Sequence, residues 1–365
     1  MDSRSAKQIL IVPLDWGMGH TTRCVPLIRH IMARGLGVTF AGNEWQRSYI
    51  IETFPELETI HLDGYGISYS KHSHGFMFSI ISQVPKLLRN VRREHAWLAD
   101  LCRQRKFDGI ISDNRYGLFH NEVPSVIMTH QVLAQTGMGD VADSMLRRLH
   151  YRYLQRFGQC WVVDVEGKPN LSGKLGHPSP MPGNAHYIGL LSQIASSPNT
   201  GDDHLLILLS GPEPQRSILS DILWGQATSY PGKLVFVEGN DKASRQSNGS
   251  PLANGGSYHT RVTKETLQPL IEKASIVICR SGYSTLMDLA VLHKKAILIP
   301  TPGQTEQELL AKHLHKEGVF YASRQKDFDL HQALADAQLF PFKQLELDGA
   351  HNLYEQVLDE WLASL

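Results

Sequence analysis

The feature that most constrains the fold of this chain is a regular alternation of short apolar runs with stretches of helical periodicity. The run Ile9–Val12 is apolar at every position, which is typical of a strand buried on both faces of a sheet. A helix-like stretch follows from Thr22 to about Arg34, and Gly35 and Gly37 end it. Such alternation favours a parallel sheet with helices on both faces. The sequence therefore predicts an α/β fold.

The same alternation occurs twice, on either side of residues 166–183, which are unusually rich in glycine and proline and resemble a domain edge. We expect two Rossmann-like doubly wound units, at 1–183 and 184–349, facing a ligand cleft. A final helix at about 350–365 has apolar residues at helical spacing and is predicted to pack back on the first unit. The predicted strands are 9–12, 38–41, 60–62, 109–112, 125–128, 205–209, 234–237, 276–279 and 296–299, and the predicted helices of the second unit are 214–227, 266–273, 283–292 and 304–317.

Composition excludes several classes of protein. With 365 residues, of which 42% are hydrophobic, the chain can build two cores, so bulk disorder is excluded. Lys+Arg and Asp+Glu both number 36, whereas a protein that binds nucleic acid over a wide surface is normally basic. The four cysteines form no C-x-x-C pair, and no signal peptide or spanning apolar run is visible, which favours a cytoplasmic protein.

Two segments depart from the alternating pattern. Residues 241–256 are rich in serine, asparagine and glycine and predict a mobile surface loop. Residues 75–93 form an apolar stretch with a basic end, for which an ordinary core helix is favoured over peripheral contact with a membrane. An excess of five basic residues over residues 1–185 is compatible with an anionic acceptor or membrane surface, and equally with chance.

The turn after the first strand is the first candidate site. Gly17 and Gly19 lie between a strand and a helix, where the backbone can approach a ligand and the helix start offers free N–H groups. Thr22 occupies the third glycine position of a dinucleotide fingerprint, which weakens a dehydrogenase interpretation. His20 has the chemistry of a general base near neutral pH, although a single histidine is more often structural.

A cluster in the second half gives a stronger signal. Arg280 ends a buried strand and is followed by Ser281 and Gly282 at a helix start, an arrangement suited to phosphate. Asp288 lies about two turns into that helix, where a carboxylate can accept hydrogen bonds from both ribose hydroxyls. Residues 304–308 then place carboxylate and carboxamide groups at the next helix start. Each residue alone also fits a plain capping role.

Together these motifs resemble a known group of enzymes. The second half contains a strand followed by Arg-Ser-Gly, an acidic side chain six residues later, another strand and a Pro…x-Glu-Gln run. This pattern resembles the C-terminal domain of nucleotide-sugar-dependent glycosyltransferases of GT-B fold. The likeness is greatest to the MurG-type N-acetylglucosaminyltransferases of family 28. The Gly-x-Gly-His turn resembles the first loop of the same superfamily. The resemblance covers roughly residues 8–34 and 274–315, and between them only the layout is similar.

The resemblance implies a set of donor-binding residues. Asp288 would bind the ribose, although relatives carry a glutamate there, and the serine–glycine loop near Pro212 would be a second phosphate loop, with that proline a departure from the pattern. The implied donor-binding set is Gly17, Gly19, Ser210, Gly211, Arg280, Ser281 and Gly282 near the diphosphate, Glu306 and Gln307 on the sugar, and the backbone at Val262 and Lys264 on uracil.

The resemblance also implies a catalytic pair. His20 matches the catalytic histidine of small-molecule UDP-glycosyltransferases, and Asp113 resembles its aspartate partner, with a helix N-cap as the alternative role. The implied activity is an inverting, metal-independent transfer of a hexose or N-acetylhexosamine from a UDP-sugar to the hydroxyl of a glycan, lipid or small molecule. No cofactor is implied beyond this co-substrate.

Three alternatives remain open at this stage. A UDP-sugar 2-epimerase of the same fold would change the sugar without an acceptor. A non-catalytic nucleotide-sugar-binding protein would tolerate loss of His20, and a dehydrogenase would bind NADH. The acceptor is expected to contact residues 63–90, with Tyr65, Tyr69, His72, His74 and Phe76 as candidates. For the histidines and tyrosines of 61–76, a plain polar surface loop is the favoured alternative.

Overall fold

The computed structural model describes residues 6–65, 76–133, 139–194, 203–211, 213–227, 229–239, 245–345, 349–350 and 352–365, without the side chains of 76–84, 140 and 142. The chain forms two compact units. The first contains the N-terminal residues, Met77–Gln193 and Leu347–Leu365, and the second contains Ile194–Glu346. Each unit has its own sheet with helices, which confirms the predicted α/β class.

The first unit is built on a parallel seven-stranded sheet. Its strands are β1 (Gln8–Pro13), β2 (Gly37–Gly42), β3 (Glu58–His61), β4 (Gly109–Asp113), β5 (Ser125–Thr129), β6 (Gln159–Val162) and β7 (Ala185–Tyr187). Its helices are α1 (Met18–Ala33), α2 (Glu44–Thr53), α3 (Phe76–Gln104), α4 (Asp140–Leu154) and, at the end of the chain, α10 (Leu353–Ser364). The strand order is β3-β2-β1-β4-β5-β6-β7. The chain therefore reverses direction across the sheet between β1 and β4, and such a switch point opens a crevice at the carboxyl ends of the strands.

The last helix, α10, belongs to the first unit. The indole of Trp361 packs edge-on against Trp161 of β6, with ring centroids 5.5 Å apart. It also lies over Gly109, where an added Cβ would sit only 2.6 Å from the Trp361 ring. Lys7 donates a hydrogen bond from Nζ to the Leu362 carbonyl at 3.0 Å. The C-terminal helix therefore closes the sheet at the amino end of β4.

The second unit has a sheet of the same design. Its strands are β8 (His204–Leu208), β9 (Leu234–Val237), β10 (Ser250–Pro251), β11 (Ser257–His259), β12 (Ala274–Cys279), β13 (Ala296–Leu298) and β14 (Tyr321–Ala322). Its helices are α5 (Gln215–Ala227), α6 (Lys264–Glu272), α7 (Tyr283–Val291), α8 (Thr305–Lys316) and α9 (Leu330–Gln338). The order is β10-β11-β9-β8-β12-β13-β14, parallel except for the β10–β11 pair. The switch point of this sheet lies between β8 and β12.

Two segments differ from their sequence-based predictions. The glycine- and proline-rich residues 166–183 lie inside the first unit, which extends to Gln193. The buried Asp164 carboxylate accepts hydrogen bonds from the backbone N–H groups of Leu171 and Ser172, at 3.2 and 2.7 Å, and folds this segment back on the unit. Residues 245–256, predicted as part of a mobile loop, contain β10 and lead into β11 through a turn closed by Leu252 and Gly256. The remaining part, 241–244, lies outside the described residues.

Candidate active site

The switch point of the first unit brings the predicted catalytic pair together. Gly17 precedes α1 with φ 117°, a backbone conformation that strongly favours glycine, and thereby lets the chain turn directly from β1 into the helix. His20 lies in the first turn of α1, and Asp113 is the last residue of β4. His20 Nδ1 is 3.0 Å from Asp113 Oδ2, and the Asp113 side chain is fully buried.

Arg23 completes this cluster, although the sequence analysis assigned it no role. Its guanidinium grips both oxygens of Asp113, with Nε 2.6 Å from Oδ2 and Nη2 donating to Oδ1. Nη2 is also 2.9 Å from His20 Nδ1, and Nη1 is 3.2 Å from Nδ1 of the buried His130, which follows β5. Arg23 lies three residues after His20, so both side chains project from the same side of α1. This three-residue spacing is the one feature of the sequence that could have placed Arg23 beside His20.

Electrostatics define the charge of the pair at neutral pH. Burial by itself would raise the pKa of Asp113, but the adjacent Arg23 and His20 lower it to about 2. Burial lowers the pKa of His20, Asp113 opposes that effect, and Arg23 adds to it. The structure therefore holds an ionised carboxylate beside a neutral imidazole.

The ionised carboxylate constrains the proton on His20. Because a carboxylate only accepts hydrogen bonds, the contact with Asp113 requires the imidazole proton on Nδ1. Nδ1 then donates to Asp113 and does not accept from Arg23, since one nitrogen carries either a proton or a lone pair. In this tautomer Nε2 keeps its lone pair. The His20 side chain remains 15% exposed.

A second buried network supports the loop before α1. Arg115 Nε donates to Glu94 Oε1 at 2.6 Å, and the Tyr65 hydroxyl donates to Glu94 Oε2 at 2.6 Å. The Tyr65 backbone N–H donates to Asp15 Oδ1 at 3.1 Å. The sequence predicted that Tyr65 would contact the acceptor. In the structure Tyr65 is buried and supports the loop before α1. Trp16, which follows Asp15 in this loop, is 41% exposed and is the aromatic side chain that the loop presents to solvent.

Some sequence-predicted acceptor residues cannot be placed. Tyr69, His72 and His74 lie outside the described residues, as does the side chain of Phe76.

The switch point of the second unit gathers the predicted phosphate loops. Ser210 and Gly211 follow β8, and Gly282 follows β12 and precedes α7. An added Cβ at Gly211 or Gly282 would meet no described atom within 4 Å, so these loops present open backbone. Pro212 lies outside the described residues. β8 and β12 are adjacent and parallel, so the loops lie at the same edge of the sheet.

Two acidic residues lie on accessible parts of the second unit. Asp288 is half-buried on α7, one turn after the half-buried Ser284 and on the same face of the helix. Glu306 is half-buried in the first turn of α8.

Val262 and Lys264, the predicted uracil contacts, are half-buried at the start of α6. They follow β11, whose carboxyl end lies at the same sheet edge as those of β9 and β8.

Arg280 has a different role from the one predicted. It is buried, and its guanidinium donates to the carbonyls of Gln215, Ile299 and Pro300 at 2.7, 3.1 and 3.2 Å. These carbonyls lie at the start of α5 and directly after β13, so Arg280 ties the ends of β12 and β13 to the start of α5.

Ser281 and Gln307 are also used internally. The hydroxyl of buried Ser281 donates to the Gln307 carbonyl at 2.8 Å. The carboxamide oxygen of Gln307, also buried, accepts the backbone N–H of Thr301 at 2.9 Å. A buried polar group requires such a partner. Gln307 was predicted to hold the transferred sugar, but here it shapes the loop that presents Glu306.

The structure is similar over nearly its whole length to solved glycosyltransferases. It matches the glycotransferase of kitacinnamycin with a TM-score of 0.67 and 14% identity, covering 99% of this chain and 100% of that one. It matches SnogD from Streptomyces nogalater with a TM-score of 0.63 and 12% identity, and MurG from Acinetobacter baumannii with 0.58 and 13%, covering at least 98% of each chain. This chain has the GT-B fold.

The sequence also resembles one particular family of glycosyltransferases. Residues 229–355 match the glycosyltransferase family 28 C-terminal domain. The chain is 27% identical over 216 residues to the UDP-N-acetylglucosamine–N-acetylmuramyl-(pentapeptide) pyrophosphoryl-undecaprenol N-acetylglucosamine transferase of Histophilus somni (strain 129Pt). That match covers 56% of this chain and spans about half, 54%, of the relative. The resemblance predicted from the sequence is confirmed.

Proposed function

We propose that this protein transfers a sugar from a nucleoside-diphosphate sugar, with UDP as the nucleotide, to an acceptor hydroxyl. The observation that carries the proposal is the His20–Asp113 pair at the switch point of the first unit. The family 28 match over residues 229–355 supports a nucleotide-sugar donor, and the name of the Histophilus somni relative supports UDP. A hexose or N-acetylhexosamine is the proposed sugar.

The proposed reaction begins at His20 Nε2. This nitrogen accepts the proton of the acceptor hydroxyl, whose oxygen forms a bond to the anomeric carbon. The bond from that carbon to the diphosphate oxygen breaks, and UDP leaves with the electron pair. Attack opposite the leaving group inverts the anomeric configuration. Asp113 keeps the imidazole in the required tautomer, and the imidazolium that forms beside it then releases its proton to water.

The second unit is proposed to bind the donor. The backbone at Gly211 and at the start of α7 suits the diphosphate, because a helix N-terminus carries partial positive charge. Asp288 would accept hydrogen bonds from the ribose hydroxyls, and Glu306 from those of the sugar. Val262 and Lys264 remain the proposed uracil contacts. The scheme uses hydrogen bonds and helix dipoles to stabilise the leaving diphosphate and requires no metal.

The first test combines donor binding with product analysis. We expect UDP and one of its sugar conjugates to raise the melting temperature of the purified protein, because a ligand at a hundred times its Kd stabilises by ~2.7 kcal/mol. Incubation with that donor and a panel of hydroxyl acceptors should release UDP and give a glycoside of inverted configuration by NMR.

Other outcomes of this screen would contradict the proposal in distinct ways. A changed sugar without acceptor would indicate an epimerase. Binding with no product for any acceptor, unaffected by loss of His20, would indicate a binding protein. Stabilisation by NADH alone would indicate a dehydrogenase.

The structure also bears on contact with membranes. Among the described residues, no helix is long and apolar enough to cross a bilayer. On α4, however, Val141, Met145 and Leu149 follow at four-residue spacing and are 76%, 69% and 45% exposed. Arg148 and Arg152 are exposed on the same side of the helix. This face combines apolar and basic groups, which suits a surface of anionic lipid. Of residues 75–93, for which a core helix was favoured over membrane contact, residue 75 and the side chains of 76–84 lie outside the described residues.

We expect this face of α4 to bind anionic vesicles. Leu149→Glu should weaken sedimentation with vesicles containing phosphatidylglycerol by about tenfold, since it removes apolar contact and adds repulsion. Leu339→Glu, at a residue 89% exposed on the second unit, is the matched control and should bind like the parent. Equal binding of both variants, no binding of the parent, or self-association of the parent through this face would refute the assignment.

A further inference from the structure

We propose that Arg23 is the positioning residue that sets the pH range in which His20 works as a base. The inference rests on the proposed function, because it assigns Arg23 a role in that reaction. In this site the carboxylate beside the base is already bound by a buried cation.

The geometry gives Arg23 control of the Asp113 carboxylate. Its guanidinium contacts both oxygens, which fixes the plane of the carboxylate in the bidentate arrangement that guanidinium favours. The same oxygen that receives Arg23 Nε also faces His20 Nδ1. A rotation of Asp113 would therefore break its contacts with Arg23 and His20 together. Arg23 thus holds the acceptor that orients the imidazole.

The charges give Arg23 a second effect. The titratable or charged groups that face His20 are Asp113 from β4, Arg23 from α1 itself and His130 from the segment after β5. His130 Nδ1 lies 3.2 Å from Arg23 Nη1, so a neutral imidazole there can accept a hydrogen bond from the guanidinium. With one carboxylate and one guanidinium, the neutral cluster carries no net charge. A proton on His20 would add an uncompensated positive charge to a buried site.

The sign of the effect follows from this balance. If Arg23 is replaced by an uncharged residue, a protonated His20 becomes the remaining cation recorded beside Asp113 in the described part of the chain. The pKa of His20 then rises, so the imidazolium persists to higher pH and proton acceptance fails there. The acid limb of the kcat/KM profile should move to higher pH by about one unit or more, within the range that a neighbouring charge produces.

The decisive experiment compares Arg23→Met with Arg23→Lys. The methionine variant should show the displaced acid limb, so that well below the pKa of His20 its kcat/KM is about tenfold lower for each pH unit of displacement, and the lost orientation should lower it further. The lysine variant keeps the charge and should retain an acid limb close to that of the parent. Arg29→Met, an exposed arginine of the same helix, is the matched control.

A purely structural role for Arg23 predicts a different result. In that case Arg23→Met would lower the melting temperature, but the acid limb of the surviving activity would not move. That result would overturn the inference. If the methionine variant fails to fold, Arg23→Lys and Arg23→Gln replace it, and equal acid limbs in these two variants would likewise overturn the inference.

A readout that needs no turnover separates this inference from the proposed function. The His20 ring can be titrated by NMR in the parent and in Arg23→Met, with its signal assigned by its loss in His20→Gln. A raised pKa in the variant supports the role of Arg23 even if no sugar transfer is found, in which case the proposed function alone fails. Transfer by the parent with an unchanged His20 pKa in the variant would overturn the role of Arg23 alone.

Discussion

Replacing His20 with alanine is expected to lower the rate of sugar transfer by about 10²–10⁴-fold, the usual contribution of a general base. The loss should appear in kcat, because the acceptor hydroxyl then has no group to receive its proton. Donor binding is assigned to the second unit, so the UDP-induced rise in melting temperature should persist. Initial rates of UDP release at saturating donor, measured with a coupled assay, give the comparison.

The control for this experiment is His61→Ala. His61 ends β3 and is exposed, so the substitution removes an imidazole from the first unit without touching the Asp113 cluster. We expect its rate to stay within about twofold of the parent, as is usual for a surface substitution. A folded His20→Ala variant that matches this control would remove His20 from the mechanism.

The second large effect is expected at Asp288. Replacing it with alanine should weaken UDP binding by about 10–100-fold, because hydrogen bonds to a charged group contribute roughly 1.5–3 kcal/mol. Asp288→Asn keeps the size and one acceptor oxygen and should give an intermediate loss. Isothermal titration with UDP measures both affinities. Comparison with 2′-deoxy-UDP adds a sharper test, since the parent should prefer UDP whereas Asp288→Ala should bind both nucleotides similarly.

Glu317→Ala provides the acidic control in the same unit, at an exposed position following α8. Its affinity for UDP should equal that of the parent. If Asp288→Ala also binds UDP with parental affinity, the ribose contact lies elsewhere. If the parent shows no preference for UDP over its 2′-deoxy analogue, the hydroxyl contact assigned to Asp288 is excluded.

The predictable parts of the fold are those that local sequence determines. The buried strands β1, β9 and β12 appear as continuous apolar runs, and their positions agree with the predictions within a few residues. Short strands such as β7 (Ala185–Tyr187) carry no comparable run, because they lie at the sheet edge and are stabilised by pairing with a distant segment. Such pairing is a tertiary property, and strand propensity depends strongly on it.

In the candidate site, too, some residues could be predicted from local sequence and others could not. His20 stands out because a glycine-rich turn carries it between a strand and a helix. Arg23 could not be assigned from local pattern, since its carboxylate partner lies 90 residues later in the chain. Arg280 shows the converse: its place at a strand end suggested a phosphate contact, and local pattern gave no sign that its guanidinium donates to three backbone carbonyls. Sequence indicates which side chains lie near the edge of a sheet, but not which of them remain available to a ligand.

The return of the last helix to the first unit has a consequence for biosynthesis. A ribosome translates the whole second unit before it reaches Trp361. During that time Trp161 and Gly109 are not yet covered by the Trp361 indole. At ~5–20 residues per second this interval lasts roughly 10–30 s. The first unit is therefore the first to be synthesised and yet the last to be completed. A chain that stops early loses part of its N-terminal core, even though every residue of the first sheet has already been made.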